Sequence, residues 1–577
     1  MIAACPPLAE LAERAGSVDL ALLDARLRAS GGCARPIRLR GTVEVCDGHG
    51  QRRVWSTDSE PDGVLRKACG NRREAVCAPC AERYRQDAYH LIAAGLRGGK
   101  GVPDSIHQHP AVFLTLTAPS FGVVHSRPIG PDGQPRRCRV RRDDPVCPHG
   151  VSLSCRAVHA EGDPCLGEPL CRECFDYTAA VRWNHTLGEL WRYTTIYVPR
   201  ALARLAGMTQ AALKRQVRVV YVKVAEYQRR GLVHVHVLAR LDRSVPDYRA
   251  ELIRPPAQRF DAQLLERAIR EAVADVSAPV PAELGGGRVR WGEQLDVRHL
   301  DQGDARGEVA GYLAKYATKS TEQAGGLLHR VAAEDVDVVN VREHVRDYLR
   351  AAFDLDATAK EHAPRRTYPA PPAMDVETDW NPAALAIRLQ RAMSTGEALR
   401  VREHDNTTHI GRVVRLLASS VERRDTTLVV ELDTGARVHL ADVASIGPAQ
   451  RPARRRDRRA PRLAACAHAF GYRGHCLTKS RRYSTTFKAL RQAREAYVHE
   501  QILARSTDAT QRAIASASTR TAAFEFVGAG HVTAADAFLA AAAAARAREH
   551  RRLAREESAP GLKGYKHRST EVRDERP

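Results

Sequence analysis

The chain has 577 residues, of which 90 are lysine or arginine and 68 are acidic, giving a formal charge of +22 and a pI near 9.7. That length exceeds what one hydrophobic core organises, so about three or four domains are expected. The charge points to a polyanionic partner, although a bias toward arginine produces the same sum. No run of about 18 apolar residues occurs, and the N-terminus MIAACPPLAELAERAG lacks a basic stretch before an apolar core. A membrane-spanning chain is thereby excluded and a cytoplasmic one expected. In that compartment the 14 cysteines, most of them at or before Cys174, favour metal over disulfides.

In chain order, residues 1–105 predict an N-terminal zinc-binding region: a short amphipathic helix, a cysteine-containing stretch, and a helix over AERYRQDAYHLIAAGL that ends in GLRGGKG, read as a linker. Residues 106–330 form the next domain. It opens on the alternating AVFLTLTAPSFG from Ala111, holds an inserted zinc module at 138–176, and continues in a helix around Tyr177–Trp191. VRVVYVKVAEYQRRGLVHVHVLAR reads as two strands joined by a polar turn at Gln228–Gly231, VRWGEQLDV as another strand, and EVAGYLAKYATK as a helix. This order predicts an α+β fold with a central antiparallel sheet and flanking helices. Residues 331–378 end in HAPRRTYPAPPAMD and are expected as a linker. Residues 379–450 read as four or five short strands with a turn at Asp433–Gly435, a small β-barrel-like insertion. Residues 451–577 form a basic helical region with a helix near Ala534–Glu557 and a disordered tail.

Successive alternate residues of a strand share a face, so His234 and His236 in LVHVHVL present two imidazoles together while Val233, Val235 and Val237 face the other way. With 23 histidines, H-x-H arises by chance about once. His107 and His109 form such a pair without apolar alternation. Glu226 ends the preceding strand, and a tight turn would return its carboxylate toward the imidazoles; pairing with Arg229 or Arg230 is the alternative. Two nitrogens and an oxygen suit Mg2+ or Mn2+. In GYLAKYATK, Tyr312 and Tyr316 share a helix face, each followed three residues later by Lys315 or Lys319. A tyrosine attacks phosphorus only if a cation polarises the phosphate, and the lysines could steady the phenolate. Half-buried packing tyrosines with solvated lysines give the same pattern.

Cys69, Cys77 and Cys80 form C-x7-C-x2-C, and Cys147, Cys155, Cys171 and Cys174 form C-x7-C-x15-C-x2-C. Each C-x2-C precedes a helix, a knuckle geometry suited to one or two structural Zn2+. Cys46 is the expected fourth ligand of the first set, with Cys33 behind it. His149, His159 and Cys165 compete in the second.

TLT, H-x-H and Y-x-x-K in this order resemble the HUH endonucleases that start rolling-circle replication, in the two-tyrosine branch typified by the phage A protein. A closer resemblance is to the replication initiators of actinomycete plasmids and integrative conjugative elements. It is carried by CGNRREAVCAPCAERYRQDAYHLI, FLTLTAPSFG, CPHG, PLCRECFDY, EYQRRGLVHVHVLAR, WGEQLDV, VAGYLAKYATK and FGYRGHCLTKSRRYSTTF. The resemblance implies an HUH nicking domain, a 5′-phosphotyrosine intermediate, rejoining by the second tyrosine, single-stranded or supercoiled double-stranded origin DNA as substrate, and host helicase and polymerase as partners. The strands of 379–450 lie outside it. Lys479, Arg481 and Arg482, with Tyr483 for stacking, are expected on DNA, as are Arg229 and Arg230; the run Arg454, Arg455, Arg456, Arg458 and Arg459 could be a solvated linker instead. Rival readings are a conjugative relaxase or transposase, for which no G-x-x-x-x-G-K-[ST] helicase motif is present, and a zinc-stabilised, non-catalytic DNA-binding regulator.

Overall fold

The computed structural model describes residues 8–46, 52–245, 253–300, 305–319, 321–362, 463–505 and 519–557 without a break, and parts of 376–448. The arginine run 454–459 and the C-terminal tail lie outside them. The chain divides into two compact units, Met1–Ala359 with Pro461–Pro577, and Lys360–Ala460.

The first unit begins with helices α1 (Leu8–Ser17) and α2 (Leu20–Ala29), strands β1 (Ile37–Cys46), β2 (Arg52–Ser56) and β3 (Leu65–Lys67), helix α3 (Ala78–Arg97), strand β4 (Ala111–Leu116) and helix α4 (Tyr177–Leu205). There follow α5 (Gln210–Gln216), β5 (Val217–Tyr227), β6 (Val233–Arg243), α6 (Ala262–Asp275), β7 (Ser277–Pro279), β8 (Arg288–Arg290), β9 (Leu295–His299), α7 (Ala305–Tyr316) and α8 (Glu343–His362). The second unit supplies β10 (Val376–Glu377), β11 (Ala398–Glu403), β12 (Thr408–Val421), β13 (Asp425–Leu432), β14 (Arg437–His439) and β15 (Val443–Pro448). The chain then returns to the first unit with β16 (Leu477–Lys479), α9 (Phe487–Arg505), β17 (Thr519–Ala529) and α10 (Ala534–Glu557).

The central sheet has strand order β16-β5-β6-β4-β9, and every pairing is antiparallel. Both of its faces are covered, which is why β5 and β6 read as nearly unbroken apolar runs. One face sends Val112, Leu114, Val233, Val235 and Val237 into a core built with α4, α6 and α8. The other sends Val220, Val222, Val224 and Leu238 against Leu91 and Ile92 of α3, Leu313 of α7 and Leu490 of α9. Helix α4 is capped by Asp176, which accepts the Ala179 amide at 2.8 Å, and buries Ala180, Trp183, Leu187, Leu190, Thr194 and Val198 at helical spacing.

Three segments differ from their sequence expectation. GLRGGKG is a docked turn rather than a linker, because Val102 and Ile106 just beyond it pack on Ala94 of α3. VRWGEQLDV splits between β8 and β9: Gly292 passes so close to the Ala118 carbonyl that a Cβ would lie 2.6 Å from it, and its amide bonds Thr117 instead. Within the expected linker 331–378 lies α8, which buries Val345, Tyr348, Leu349, Ala352, Leu355 and Ala359 in the first core.

In the second unit the expected barrel does not close: six strands form an open sheet of order β10-β15-β11-β12-β13-β14, with Leu399, Val401, Val430, Leu432 and Val438 in its core. A further antiparallel sheet joins β1 to β2, β3 and the C-terminal β17. Helix α10 is tied to that end by Asp536, which takes the Arg14 guanidinium at 2.7 Å.

The segment before α9 is pinned by Tyr483, fully buried, whose hydroxyl donates to the Ile92 carbonyl at 2.9 Å. Its ring lies against Gly95 of α3, where a Cβ would meet the ring at 2.3 Å. Gly95→Ala is therefore expected to lower stability by about 1–3 kcal/mol, measured by urea denaturation of the full chain.

Candidate functional site

The β5–β6 hairpin sets Glu226 opposite His234 and Val224 opposite His236, while β4 places Thr115 on the other side of His236. Two hydrogen bonds to the buried Asn184 of α4 hold its turn: the side-chain amide donates to the Gly231 carbonyl at 2.9 Å and its oxygen accepts the Val233 amide at 3.2 Å, while the amide also donates to the Phe470 carbonyl at 2.9 Å. Gly231 adopts φ +81°, and Tyr348 fills the space where a side chain would stand.

On the face toward α7, His236 lies between two partners. Its Nδ1 is 3.0 Å from Thr115 Oγ1, and its Nε2 is 2.7 Å from Glu226 Oε2. Glu226 thus turns to His236 rather than to Arg229 or Arg230. The His234 ring stands 6.3 Å from that of His236, nearly perpendicular to it. Burial, reinforced by His236 and Arg230, holds His234 well below the usual histidine range. Among the described residues, His234, His236 and Glu226 do not form one of the groups whose donor atoms all converge within 4.8 Å. His109 of the comparison pair is a buried structural residue, its Nδ1 2.8 Å from Asp242.

Helix α7 brings the tyrosines onto this end of the sheet. Ala314 and Ala317 pack on Ala88 of α3, and small residues there allow the close approach. The Tyr312 and Tyr316 rings lie 4.6 Å apart, at 5.3 and 5.7 Å from the His236 ring, and Phe113 backs both His236 and Tyr312. Lys319 Nζ sits 4.7 Å and Lys315 Nζ 5.8 Å from the centre of the Tyr316 ring. Burial, then Tyr316 and Glu226, push the Tyr312 phenol above its ordinary range. Burial and the neighbouring Lys315 draw Lys319 below its own. Arg72, between the cysteines of the first set, donates to the carbonyls of Ala317 and Lys319 beyond the helix end.

The cysteines form groups that could hold a metal such as zinc, and their membership differs from the spacing-based expectation. The first is Cys33, Cys69, Cys77 and Cys80, with sulfurs 3.6–3.7 Å apart along three edges. Those edges are close to the ~3.8 Å of a tetrahedral zinc thiolate and far too long for a disulfide. Cys33 therefore completes this set; the side chain of Cys46 lies outside the described residues. The second is Cys147, His149, Cys171 and Cys174. Cys155, expected there, instead joins His125, Cys138 and His159, because a backbone bridge to Arg139 carries it away from Cys147.

The expected DNA contacts are partly engaged within the protein. Arg229 donates to the carbonyls of Asp163 and Glu161, and Arg230 to Gln228. Lys479 is shared among the carbonyls of Ser480, Arg481 and Ser484, and Arg482 reaches Val245; Arg481 is exposed. Tyr483 is buried beneath Arg240, so its ring has no face open to stack on a base. Sequence reasoning noted Thr115 only as part of TLT and not its contact with His236, although period-two counting along AVFLTL puts it on the face of Phe113 and Ala111. It also missed His125 and Cys138, which show no spacing signal.

The site is thus an antiparallel sheet carrying a histidine pair and a carboxylate against paired tyrosines, in a basic chain with thiol-rich modules. Residues 19–381 and 405–545 match the family model described as replication initiator protein, pSAM2. The chain therefore belongs to the replication initiator family of actinomycete plasmids. A replication initiator protein of Streptomyces ambofaciens is 38% identical over 364 residues, 60% of this chain and 74% of that relative. No solved structure matches. The match resumes at 405, so most of the stretch expected to fall outside the resemblance lies within the family. Among the described residues no helix is long and apolar enough to cross a membrane.

Metal analysis of the purified full chain checks the first thiol set. Cys33→Ser is expected to lower bound zinc by about one ion per chain, and Cys46→Ser to leave it unchanged.

Proposed function

We propose that this initiator nicks one strand of its origin by tyrosine attack and later rejoins it, as an HUH endonuclease. The observation that carries the reading is the packing of Tyr312, edge-on, and Tyr316, tilted, against the His236 ring, with both phenols on one helix face. Such spacing lets either hydroxyl reach one bound phosphate with little helix motion. In the first cut the phenolate oxygen bonds to phosphorus and the bond to the 3′ oxygen breaks. The phenolic proton leaves to solvent, the departing oxygen takes one up, and a free 3′-OH remains beside a 5′-phosphotyrosine. Attack by a 3′-OH on that linkage reverses the step and closes the strand.

His234, His236 and Glu226 would hold the divalent cation, Mg2+ or Mn2+. The donor set fits: two imidazole nitrogens and a carboxylate, with Thr115 orienting His236 through the other ring nitrogen. When bound, the ion draws charge from the scissile phosphate. Until then the His236–Glu226 hydrogen bond keeps both side chains partnered in a mostly buried place. Structural zinc belongs in the Cys33, Cys69, Cys77 and Cys80 set and in the Cys147, His149, Cys171 and Cys174 set, where four protein donors leave no open position.

Tyr316 makes the first attack, because two ammonium groups lie by its ring to stabilise the developing phenolate, whereas burial and Glu226 oppose ionisation of Tyr312. Incubation with labelled single-stranded origin DNA and Mn2+ should give an SDS-resistant adduct, and the Tyr312→Phe, Tyr316→Phe double variant should give none; an adduct that persists in it overturns the reading. Tyr316→Phe alone should slow the first cut about 100-fold or more, while Tyr312→Phe should spare it and impair rejoining, as followed by separate cleavage and closure time courses.

A further inference from the structure

Between Pro119 and Asp176 the chain makes no helix and no strand beyond isolated bridges. Apart from cysteines, its only buried hydrophobic residues are Leu166 and Phe175. A segment with so little apolar burial does not offset its own ordering entropy, and small modules of this kind rely on metal or disulfide staples. All of its cysteines are free thiols.

We infer that this module binds a zinc ion through His125, Cys138, Cys155 and His159, separate from the Cys147, His149, Cys171 and Cys174 set, and that this ion braces the turn between Glu226 and His234. The four donor atoms lie within 4.8 Å of one another. Cys155 Sγ is 3.6 Å from His159 Nε2 and Cys138 Sγ is 3.8 Å from His125 Nδ1. A tetrahedral zinc with Zn–S near 2.3 Å and Zn–N near 2.05 Å has S···N edges of about 3.6 Å. Backbone bonds build the cage: Arg139 and Cys155 exchange amide and carbonyl at 2.7 and 2.8 Å, and the Cys138 amide donates to Ala157. Cys138 and His159 are each only 5% exposed, as befits a closed structural site.

Two further contacts point to a metal. The Ser126 amide donates to Cys138 Sγ at 3.2 Å, a bond that suits a thiolate ligand. The Nδ1 of His159 meets Asp163 Oδ2 at 2.8 Å, which orients Nε2 into the cage as a carboxylate does behind a zinc-bound imidazole. Cys165 also approaches this Nδ1, but its sulfur donates to Asp163 Oδ1 at 2.8 Å, so it belongs to the supporting shell. The same loop grips the hairpin. Carbonyls of Asp163 and Glu161 accept Arg229 at 3.1 and 2.7 Å, and Gly167 passes so near the Arg229–Arg230 backbone that a Cβ would lie 2.5 Å from it.

The test is metal counting on the full chain purified without chelator, together with amide exchange; neither depends on strand nicking. One ion per four-donor group is expected in the wild type, three in all. Cys138→Ser should lose one ion, keep the others, and expose the Gln228 and Gly231 amides to faster exchange, whereas Cys165→Ser should keep every ion. A wild-type count lacking this ion, or a count that Cys138→Ser leaves unchanged, overturns the inference. If Cys138→Ser fails to fold, Asp163→Asn decides. It should weaken retention of one ion against a chelator by about 10–100-fold, and unchanged retention overturns the proposal.

Discussion

Asn184 is the residue on which the geometry of this protein turns. Fully buried on α4, it uses its amide and its oxygen on the β5–β6 turn and on the Phe470 carbonyl. Each bond contributes only about 1 kcal/mol net, but leaving any of these groups unpaired in the core costs more. The turn is thereby fixed, and the turn fixes the register. A slip of one residue would carry His234 and His236 to the valine-packed face and break their relation to Glu226 and Thr115. The same asparagine binds the returning C-terminal segment, so sheet, helical layer and chain return share one polar anchor.

Around that anchor, the tyrosine helix and the hairpin turn are positioned from outside the sheet. The tyrosine helix rests on α3 through alanines, and Cys77 of the first thiol set is the residue that precedes α3 as its N-cap. Arg72 of that set reaches the far end of the tyrosine helix. The loop behind His159 holds Arg229 at the hairpin turn. In both cases a cysteine-built module contributes little apolar core of its own, and its output is the placement of a neighbouring functional element. One thiol-rich segment thus touches the end of the tyrosine helix and another the hairpin turn.

Much of the first unit was legible in the chain. Valines alternating with His234 and His236, and tyrosines at helical spacing, carry their periodicity in the residues themselves, so the hairpin and the tyrosine helix follow from local geometry. Helix α8 was equally readable from Val345, Tyr348, Leu349, Ala352, Leu355 and Ala359, but its many charges and the prolines after it suggested a linker. The partnerships among cysteines were not readable, because spacing along the chain says nothing about the Arg139–Cys155 bridge that redirects Cys155 to His159. Tyr483 misled in the opposite direction. An aromatic among arginines and lysines looks like a stacking platform, yet the ring is needed to fill the gap above Gly95.

The pairing of β1 with β17 has a consequence for how the protein is made. Strand β1 finds its long partner only far along the chain, in β17, and α2 buries Leu23 and Leu27 with Ala540 of α10 in the same way. The region around β1 must therefore wait until β17 has been made before it can complete its sheet. A prematurely terminated chain would carry an open strand edge and an unfilled apolar groove, both of which mark a polypeptide for chaperones and proteases. Each of these two distant segments thus completes the core of the other, and neither can bury its apolar face alone.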